Sequence, residues 1–595
     1  MQHAATDPDG PRAPSILGAH SLREIEAEPL EHWLPASSMY GLLQHAAARY
    51  GDRPALTYLP SGDVHAAPEV TSYAQLLANV TRAANLFHAL GVGPDDSVAL
   101  MAPNMPETHF ALWGAEAVAR ACPINILLDA GHAAELMRAA HAKVLVVLRP
   151  DADLPVWSRV QALKKESGVT HVLAIGAPAE GGQGVADFRA ALLRQPADRL
   201  SFERVLDRDT PAALFHTGGT TGTPKLAQHT HGNQLHTSWC AGLFYDLGPQ
   251  DVMLNGFPLF HVAGAIVYGS ACFAVGANQV LPTRLGMRNA DFIRNVWRFV
   301  EKHRISVIGG VPTLLAGLMK TTAGNANINS WRLMLTGGSP LPTELAAVFE
   351  AQFRRPVRNI FGMTESAGLV TIEPALAPRV AGSTGMRLPY GTIKAVPVEA
   401  SGVDVGKSCA PGETGVLVLS GPHVGPGYTD PARNGGTFVD GWLVSGDLGH
   451  VDAEGRVFVT GRAKDVIIRG AHNIDPVVIE EAVSQHPAVE MCAAIGQPDS
   501  YAGELPVAYV TLKAGASATA EDIMAFANPR IADPPARVKR IEIVDAMPLT
   551  AIGKIYKPKL RQRATAWAFG EALAPLGGRL KLRGIDNNGA VAMAI

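Results

Sequence analysis

Short apolar runs alternate with amphipathic segments along most of the chain. The stretch NADFIRNVWRFVEKHRI precedes the apolar run SVIGGVP, and HAAELMRAAHA precedes KVLVVLRP. In the first of these, residues at helical spacing fall on one face: Phe292, Ile293, Val296, Trp297 and Val300. Repeated units of this kind predict parallel sheets covered by helices, which is an α/β fold.

Three of the predicted strands end in small or polar residues. The run PAALFH leads into TGGTTGTPK, and the strands at residues 333–338 and 358–366 end in TGG and GMTES. In folds with parallel sheets, ligands lie at the carboxyl ends of the strands. We therefore expect these three strand ends to face one crevice.

After about residue 400 the pattern changes to short strands with glycine turns, such as GVLVLSG and GRVFVTG, which indicates a mainly antiparallel subdomain. From DPVVIEEAVSQHP onward, helices and strands compose a compact α+β unit. We predict a large N-terminal domain at residues 1–464, a small C-terminal domain at residues 465–575, and a glycine-rich, poorly ordered tail at residues 576–595.

Charge and cysteine content narrow the class of protein. The formal net charge is -3, so electrostatics does not favour nucleic acid or an anionic membrane surface as a partner. The five cysteines lack C-x-x-C spacing, which argues against a disulfide framework or a zinc site and fits a reducing cytosol. Because no apolar leader opens the chain, we expect a cytoplasmic protein. The pattern does not define an oligomeric state.

The longest uncharged stretch, residues 252–283, is the one candidate for a membrane span. It contains Pro258, His261, Asn278 and Gln279, and its unbroken apolar part is shorter than the roughly 20 residues that a span needs. We interpret it as a buried core helix that leads into a strand.

The loop TGGTTGTPK, residues 217–225, combines backbone N–H groups, threonine hydroxyls and one ammonium, which suits a polyanion. It departs from the phosphate loop G-x-x-x-x-G-K-[ST], because Pro224 replaces the last glycine and Leu226 replaces the metal-binding hydroxyl. An ordinary kinase-type NTPase is therefore disfavoured. The loop is either a flexible connection or part of a different class of nucleotide enzyme.

Other motifs are weak when taken singly. Asp447 beside glycine is common in turns, Glu365 suits a helix start, Lys554 resembles a solvated lysine, and His261 resembles a core histidine. Their joint order is more specific: FHTGGTTGTPK, PLFHVAG, LTGGSPLP, RNIFGMTES, VSGDLGH, GRAKDVIIRGAHNIDPVVIE and PLTAIGKIYK. From about residue 40 to 565, the chain resembles the adenylate-forming superfamily of acyl-CoA synthetases, luciferases and nonribosomal-peptide adenylation domains. It looks most like a free-standing acyl-CoA synthetase for fatty or aryl acids.

The resemblance implies a large domain, a small mobile C-terminal domain and an active site between them. It also implies a reaction in two steps. A carboxylate attacks the α-phosphate of ATP and releases pyrophosphate, and the CoA thiol then displaces AMP from the acyl-adenylate. The first step brings an anion to a polyanion, which requires positive charge and oriented N–H groups. ATP, Mg²⁺ and CoA are therefore expected.

The same resemblance implies the roles of individual residues at the nucleotide. Thr364 would contact the α-phosphate and Glu365 would hold Mg²⁺. Asp447 would accept both ribose hydroxyls, and Arg462 would also reach the ribose. The β and γ phosphates would lie against Thr217, Gly218, Gly219, Thr220, Thr221, Gly222 and Lys225, and the adenine slot would consist of Gly338, Ser339, Pro340 and Phe361.

Lys554 would reach from the small domain to the substrate carboxylate and the α-phosphate. For the second step, the small domain would rotate about a hinge at Asp465 and present the loop at Gly470, which lines the pantetheine tunnel in the family. His261 would act as a gate or help to place the acyl carboxylate.

Four positions depart from the residues usual in the family: Gly218 replaces serine, Leu226 and Ala471 replace glycine, and Lys557 replaces arginine. Gly218 removes one hydrogen-bond donor and leaves the backbone cradle. Ala471 affects the approach of CoA if that residue needs a positive φ.

The acyl pocket is expected to draw on residues 261–264, 311–318 and 337–339, with Ala263, Ala265 and Leu314. Since residues 252–283 carry no charged side chain, a second charge on the substrate tail would find little to pair with. We therefore expect an apolar tail, either alkyl or aryl, of a length that spacing alone does not define.

Three other interpretations remain at this point. They are an adenylating enzyme that loads a carrier protein in trans, a luciferase-like oxygenase, and a non-catalytic protein that binds nucleotide or acyl groups. The joint presence of Lys225, Glu365, Asp447, Arg462 and Lys554 argues against the last, because a pure binder has no need of Lys554.

Overall fold

A computed structural model describes most of the chain: residues 13–176, 184–217, 225–399, 402–462, 465–470, 472–550 and 553–573, together with two strands at 583–587 and 590–594. Its α-helices are α1 Ala19–Glu26, α2 Leu30–Trp33, α3 Met39–Tyr50, α4 Tyr73–Ala89, α5 Pro106–Val118, α6 Ala130–Ala139, α7 Val160–Ser167, α8 Phe188–Leu192, α9 His231–Phe244, α10 Ala271–Val275, α11 Ala290–His303, α12 Pro312–Met319, α13 Thr343–Phe353, α14 Pro476–Ser484, α15 Ala520–Ala527 and α16 Lys557–Leu573.

The strands follow the apolar runs of the sequence. They are β1 Pro54–Leu59, β2 Glu69–Ser72, β3 Ser97–Met101, β4 Arg120–Pro123, β5 Ala142–Leu148, β6 His171–Ile175, β7 Val185–Asp187, β8 Pro211–Thr217, β9 Lys225–Thr230, β10 Val252–Leu254, β11 Asn278–Pro282, β12 Val307–Gly310, β13 Leu333–Gly337, β14 Val357–Phe361, β15 Thr371–Ile372, β16 Gly385–Arg387, β17 Thr392–Val396, β18 Val398–Glu399, β19 Gly402–Val403, β20 Gly415–Ser420, β21 Gly427–Tyr428, β22 Phe438–Val439, β23 Trp442–Val451, β24 Arg456–Arg462, β25 Ile467–Arg469, β26 His472–Ile474, β27 Val489–Asp499, β28 Gly503–Leu512, β29 Arg540–Ile543, β30 Arg583–Asn587 and β31 Ala590–Ala594.

Two large sheets form the N-terminal part of the molecule. One has the order β21-β9-β8-β4-β3-β5-β6-β7, in which β3 to β8 pair in parallel and β9 returns antiparallel to β8. In the other, β1 and β10 to β14 are parallel, and the sheet continues through antiparallel pairs from β15 to β17. The predicted antiparallel subdomain is thus an extension of the second parallel sheet.

The C-terminal part has its own sheet, in which β25, β26, β27 and β28 pair antiparallel and β29 adds in parallel. Beyond it the structure differs from the expected poorly ordered tail, because β30 and β31 form an antiparallel hairpin. The two residues between these strands are Asn-Gly in the sequence, which is a strong hairpin signal.

The stretch at residues 252–283 is confirmed as core structure. It holds β10, a π-helix at Ala263–Ser270, α10 and β11. Among the described residues, a helix with the length and apolar character of a membrane span is absent.

One apolar cluster lies between the second sheet and the helices around α9, and we call it the central core. It extends from the N-terminal helix α1 to the segment that follows β12. Its buried members include Ile16, Leu22, Ile25, Ala241, Phe244, Tyr245, Phe257, Tyr268, Val311, Leu335 and Ile360.

Candidate active site

The two ends of the predicted phosphate loop lie opposite each other in the first sheet. Thr217 ends β8 and Lys225 begins β9, and the two residues are paired across the antiparallel ladder. The intervening residues Gly218, Gly219, Thr220, Thr221 and Gly222 lie outside the described part of the chain. The ladder therefore fixes where the loop leaves the sheet and where it returns.

Glu365 connects the two large sheets on this side of the molecule. Its carboxylate is buried and accepts a hydrogen bond of 2.6 Å from the hydroxyl of Tyr428, which belongs to the strand β21 beside β9. The Lys225 ammonium lies 4.8 Å from the centre of the Tyr428 ring. Burial, followed by the Glu365 charge, raises the pKa of Tyr428, so the phenol stays protonated and donates.

Thr364 is held through its backbone. Its carbonyl accepts a hydrogen bond of 2.6 Å from Nε2 of His229 on β9. Burial lowers the pKa of His229 to about 4, so the ring is neutral at pH 7 and donates through Nε2–H. This bond ties the Thr364 backbone to β9, next to Glu365.

Asp447 and Arg462 are cross-strand partners on β23 and β24. Nε of Arg462 donates to Oδ1 of Asp447 at 2.9 Å. The Asp447 side chain is 5% exposed, whereas that of Arg462 is 48% exposed. The arrangement presents a buried carboxylate to the crevice, with a more exposed guanidinium beside it.

Lys554 comes from the C-terminal part and lies over Gly338 of the second sheet. A Cβ atom added to Gly338 would be 2.8 Å from Cε and 3.2 Å from Nζ of Lys554. The lysine belongs to a turn closed by a bond of 2.7 Å from the Thr550 amide to the Lys554 carbonyl. Thr313 of α12 donates to the Gly553 carbonyl at 3.2 Å, which docks this turn against the N-terminal part.

The charge environment of Lys554 is mixed. Burial, followed by the positive charge of Arg462, lowers the pKa of Lys554 to about 8, and the Asp447 carboxylate opposes this shift. His261 also interacts electrostatically with Lys554, and burial together with that charge lowers the pKa of His261 to about 3. His261 is therefore a neutral imidazole at pH 7, and its Nδ1 accepts a hydrogen bond from the Ala263 amide at 3.1 Å.

The predicted adenine slot lies at the ends of two neighbouring parallel strands. Gly338, Ser339 and Pro340 follow β13, and Phe361 is the last residue of β14. Gly338 has a φ of 83°, so an L side chain would be strained there as well as crowded by Lys554.

The structure does not bring every predicted residue to this place. Gly470 lies on an exposed turn after β25, where its amide donates to the Ala502 carbonyl at 2.6 Å. Asp465 accepts a bond of 2.5 Å from Arg561 on α16. Within the described residues, neither Gly470 nor Asp465 forms a hydrogen bond or ion pair with Lys554 or Glu365.

Two of the four departures from the family pattern have a structural context. Leu226 is 1% exposed and packs in an apolar cluster under β8 and β9, where a larger side chain than glycine fills space. Lys557 forms an ion pair of 2.8 Å with Glu480, which also accepts from the Ala494 amide. Gly218 and Ala471 lie outside the described residues.

Sequence reasoning missed Tyr428 and His229. Tyr428 stands in GPGYTD, a glycine-rich stretch typical of a turn, and His229 stands among other polar residues in KLAQHT. The signal available for each was a single polar ring beside a predicted site motif, which is too weak to select it in advance.

Comparison with known proteins agrees with this geometry. Residues 43–429 match the AMP-binding enzyme family, and residues 478–554 match the AMP-binding enzyme C-terminal domain. A marinolic acid–CoA ligase from a Pseudoalteromonas species is 38% identical over 92% of this chain and 84% of its own length. A long-chain-fatty-acid–CoA ligase from Bacillus subtilis is 28% identical over 90% of this chain and 96% of its own length.

A solved structure gives a similar result. The o-succinylbenzoate CoA synthetase of Bacillus subtilis, in complex with its acyl-adenylate intermediate, superposes with a TM-score of 0.71 at 26% identity, covering 87% of this chain and 97% of that one. The chain therefore belongs to the AMP-binding enzyme family, and the resemblance and the α/β fold expected from the sequence are confirmed. It is an enzyme of the AMP-forming acid–thiol ligase class.

Proposed function

We propose that the protein joins an apolar carboxylic acid, fatty or aryl, to CoA through an acyl-adenylate. The observation that carries this proposal is the position of the Lys554 ammonium over Gly338, beside the Asp447–Arg462 pair. The crevice contains the Asp447 carboxylate, which can accept hydrogen bonds from ribose hydroxyls, and the C-terminal part adds the Lys554 ammonium. This combination suits a reaction between a carboxylate and a nucleotide.

In the first step, a carboxylate oxygen of the acid attacks the α-phosphorus of ATP. The bond from that phosphorus to the bridging oxygen breaks, and pyrophosphate leaves with the electron pair. Lys554 would neutralise the approaching carboxylate and the α-phosphate oxygens, because both are anionic. Thr364 would donate to the α-phosphate, and Thr217 and Lys225 would hold the phosphates that leave. Asp447 would accept from the ribose hydroxyls.

Glu365 fits a magnesium site of the kind that nucleotides complete. Within the described residues, no three His, Cys, Asp or Glu side chains gather into a metal-binding group. Mg²⁺ is commonly bound by one or two carboxylates together with substrate phosphates and water, so a single buried carboxylate near Lys225 is sufficient. Bound there, Mg²⁺ would supply charge neutralisation at the phosphates.

In the second step, the sulfur of CoA attacks the acyl carbon, the bond to the AMP oxygen breaks, and a thioester forms. We propose that the unit at residues 465–575 rotates about Asp465, which removes Lys554 and brings Gly470 to the site. Among the described residues, Gly470 forms no hydrogen bond with Lys554, which supports this rotation, because a single fixed arrangement would leave Gly470 without a role. We also propose that residues 576–595 form a tail beyond the two domains and that the protein is cytoplasmic.

The tail of the acid is proposed to be apolar. The central core lies against the Lys554 turn, since Val311 of this core has a methyl group 3.4 Å from the position of a Cβ on Gly553. Of the three residues that the sequence assigned to the acyl pocket, Ala263 and Leu314 pack against the same core, whereas Ala265 lies in a different apolar cluster. The relative that acts on a long-chain fatty acid supports an apolar tail.

The test is pyrophosphate release from ATP and Mg²⁺ over a panel of alkyl and aryl acids, with and without CoA, combined with an assay for thioester. Release together with thioester formation is expected. Release that stops at acyl-adenylate would instead identify a carrier protein as the acceptor. Absence of release with every acid would favour a protein that only binds nucleotide or acyl groups.

The adenylation rate is expected to fall at high pH. The Lys554 ammonium is charged below its pKa of about 8 and is lost above it, so kcat/KM should be level at lower pH and fall about tenfold per pH unit above that value. An arginine stays charged over this whole range, so the Lys554→Arg variant should lack this fall, whatever its absolute rate. A wild-type profile that stays level to about pH 10, where an ordinary lysine titrates, would contradict the assignment.

A further inference from the structure

The first 34 residues contain a segment that precedes the family match at residue 43. We call residues 13–34 the N-terminal strap. It carries α1 and α2, and three of its apolar side chains, Ile16, Leu22 and Ile25, are at most 2% exposed. A segment with this degree of burial is an integral part of the fold.

The strap belongs to the central core and not to a separate cluster. Leu22 and Ile25 share this core with Ala241 and Phe244 of α9. At its other limit the same core contains Val311, next to the turn that carries Lys554. One apolar cluster therefore contains both residues of the strap and a residue beside the Lys554 turn.

A column of aromatic rings runs through this core from the crevice. It begins at His261, which interacts electrostatically with Lys554, and continues through Phe257 and Tyr268 to Tyr245. The successive ring centres are 6.4, 5.2 and 6.4 Å apart, and the planes differ by 25°, 15° and 20°. We call this stack of nearly parallel rings the aromatic wall.

Glycine keeps this wall close to the second sheet. A Cβ on Gly309 of β12 would lie 2.8 Å from Cε1 of Tyr268, so the ring rests directly on the strand. Among the described residues, the buried Tyr245 hydroxyl has no hydrogen-bond partner, and burial raises the pKa of both Tyr245 and Tyr268. Apart from the His261 imidazole and these two hydroxyls, the wall is apolar and offers contact area to an apolar tail.

Polar groups hold the strap at the outer side of the core. The Glu26 carboxylate pairs with the Arg387 guanidinium, with one bond of 2.8 Å, and accepts from the Tyr390 amide at 2.7 Å. The Tyr390 hydroxyl donates toward the carbonyls of Ile25 and Glu28 at 2.9 and 2.6 Å. These bonds fix the end of α1 against the segment after β16.

We propose that the N-terminal strap closes the acyl pocket at the end opposite Lys554 and so sets the size of tail that the enzyme accepts. The inference rests on the proposed function, because it concerns the tail of the acid whose carboxylate lies at Lys554. A carboxylate placed there has the polar nucleotide crevice on one side. Its tail follows the aromatic wall into the central core, and Leu22 and Ile25 form the limit of that core.

The experiment compares tail-length preference in variants of Leu22. A series of straight-chain saturated acids of graded length is assayed by pyrophosphate release, and the ratio of kcat/KM for long and short acids is determined. Leu22→Ala should shift this ratio toward longer acids by about tenfold or more, the scale on which single methylenes are discriminated in apolar pockets. Leu22→Phe should shift it toward shorter acids.

Leu163→Ala is the matched control. Leu163 is 0% exposed, but it lies on α7 in a different apolar cluster, so its truncation should lower the melting temperature and leave the ratio unchanged. If Leu22→Ala does not fold, Ile25→Val removes a single methyl group at the same end and should shift the ratio in the same direction, by less.

Each outcome decides the matter. Folded Leu22 and Ile25 variants with the wild-type ratio would overturn the proposal and leave the strap a structural cover only, while the proposed function would stand. A shift of the same size in Leu163→Ala would also overturn it, because the change would then reflect general loosening. Wild-type protein that releases no pyrophosphate with any acid would instead overturn the proposed function, and the inference with it.

Discussion

Replacement of Lys554 by alanine is expected to slow acyl-adenylate formation by about 10²- to 10³-fold, the cost of removing one donor from a preorganised anion site. The ammonium lies over Gly338, where the carboxylate and the α-phosphate would meet, and burial of the lysine lowers its pKa to about 8. ATP binding should be largely retained, because the loop at Lys225, the Glu365 carboxylate and Asp447 remain.

The measurement separates the two half-reactions. Adenylation is followed by pyrophosphate exchange, and thioester formation is followed from supplied acyl-adenylate and CoA. The variant should fail in the first assay and remain competent in the second, since the second step is proposed to occur with Lys554 withdrawn. Lys559→Ala, a change at an exposed lysine near the start of α16, is the control and should leave both rates unchanged. A near-normal exchange rate in Lys554→Ala would remove Lys554 from the mechanism.

Much of the fold could be predicted because its periodicities are local. The helix α11 follows from one apolar face, and the structure places Phe292, Val296, Trp297 and Val300 of that face in the core. The parallel strands β12, β13 and β14 follow from short apolar runs that end in glycine or polar residues. The positions of Gly338 and Phe361 at neighbouring strand ends follow from the same rule.

The contacts that join distant segments could not be predicted in this way. Tyr428 and Glu365 are 63 residues apart, and they meet because a two-residue strand pairs with the edge of β9. Glu26 and Arg387 are 361 residues apart. No local pattern marks such pairs, since each side chain alone reads as an ordinary exposed polar residue. The tail hairpin does have a local signal, because the Asn-Gly pair between its strands favours a tight turn despite the glycine content of the tail.

The arrangement of the C-terminal unit is another feature beyond sequence reasoning. The sequence motifs assign Lys554 to the first step of the reaction and Gly470 to the second. They do not indicate which of the two residues faces the crevice in the structure. In the structure it is Lys554, held by Thr313 and by an ion pair between Lys320 and Glu490. An exposed pair of this kind contributes up to about 1 kcal/mol, so it biases the arrangement without locking it.

Glu365→Gln is expected to reduce adenylation by about 100-fold or more at a fixed, moderate Mg²⁺ concentration, because loss of a group that merely orients a metal ligand already costs about 10- to 100-fold. The amide oxygen of glutamine can still accept from the Tyr428 hydroxyl, so the link between the two sheets and the melting temperature should change little. What is lost is the negative charge. Because Mg²⁺ prefers anionic oxygen ligands, the variant should recover part of its rate when the Mg²⁺ concentration is raised.

Tyr428→Phe tests whether the residue that orients the Glu365 carboxylate also affects the metal site. This change removes only the hydroxyl that orients the Glu365 carboxylate, and the ring under Lys225 remains. We expect a loss of about tenfold in apparent Mg²⁺ affinity, the lower limit for groups that orient a metal ligand, with little change in the maximal rate. Glu344→Gln, at an exposed position in the first turn of α13, provides the matched control for the change of charge. Equal rates for Glu365→Gln and Glu344→Gln at every Mg²⁺ concentration would show that Glu365 serves only to join the sheets. Recovery of Glu365→Gln by Mg²⁺, with a smaller shift in Tyr428→Phe, would instead assign the carboxylate to the metal and the phenol to its orientation.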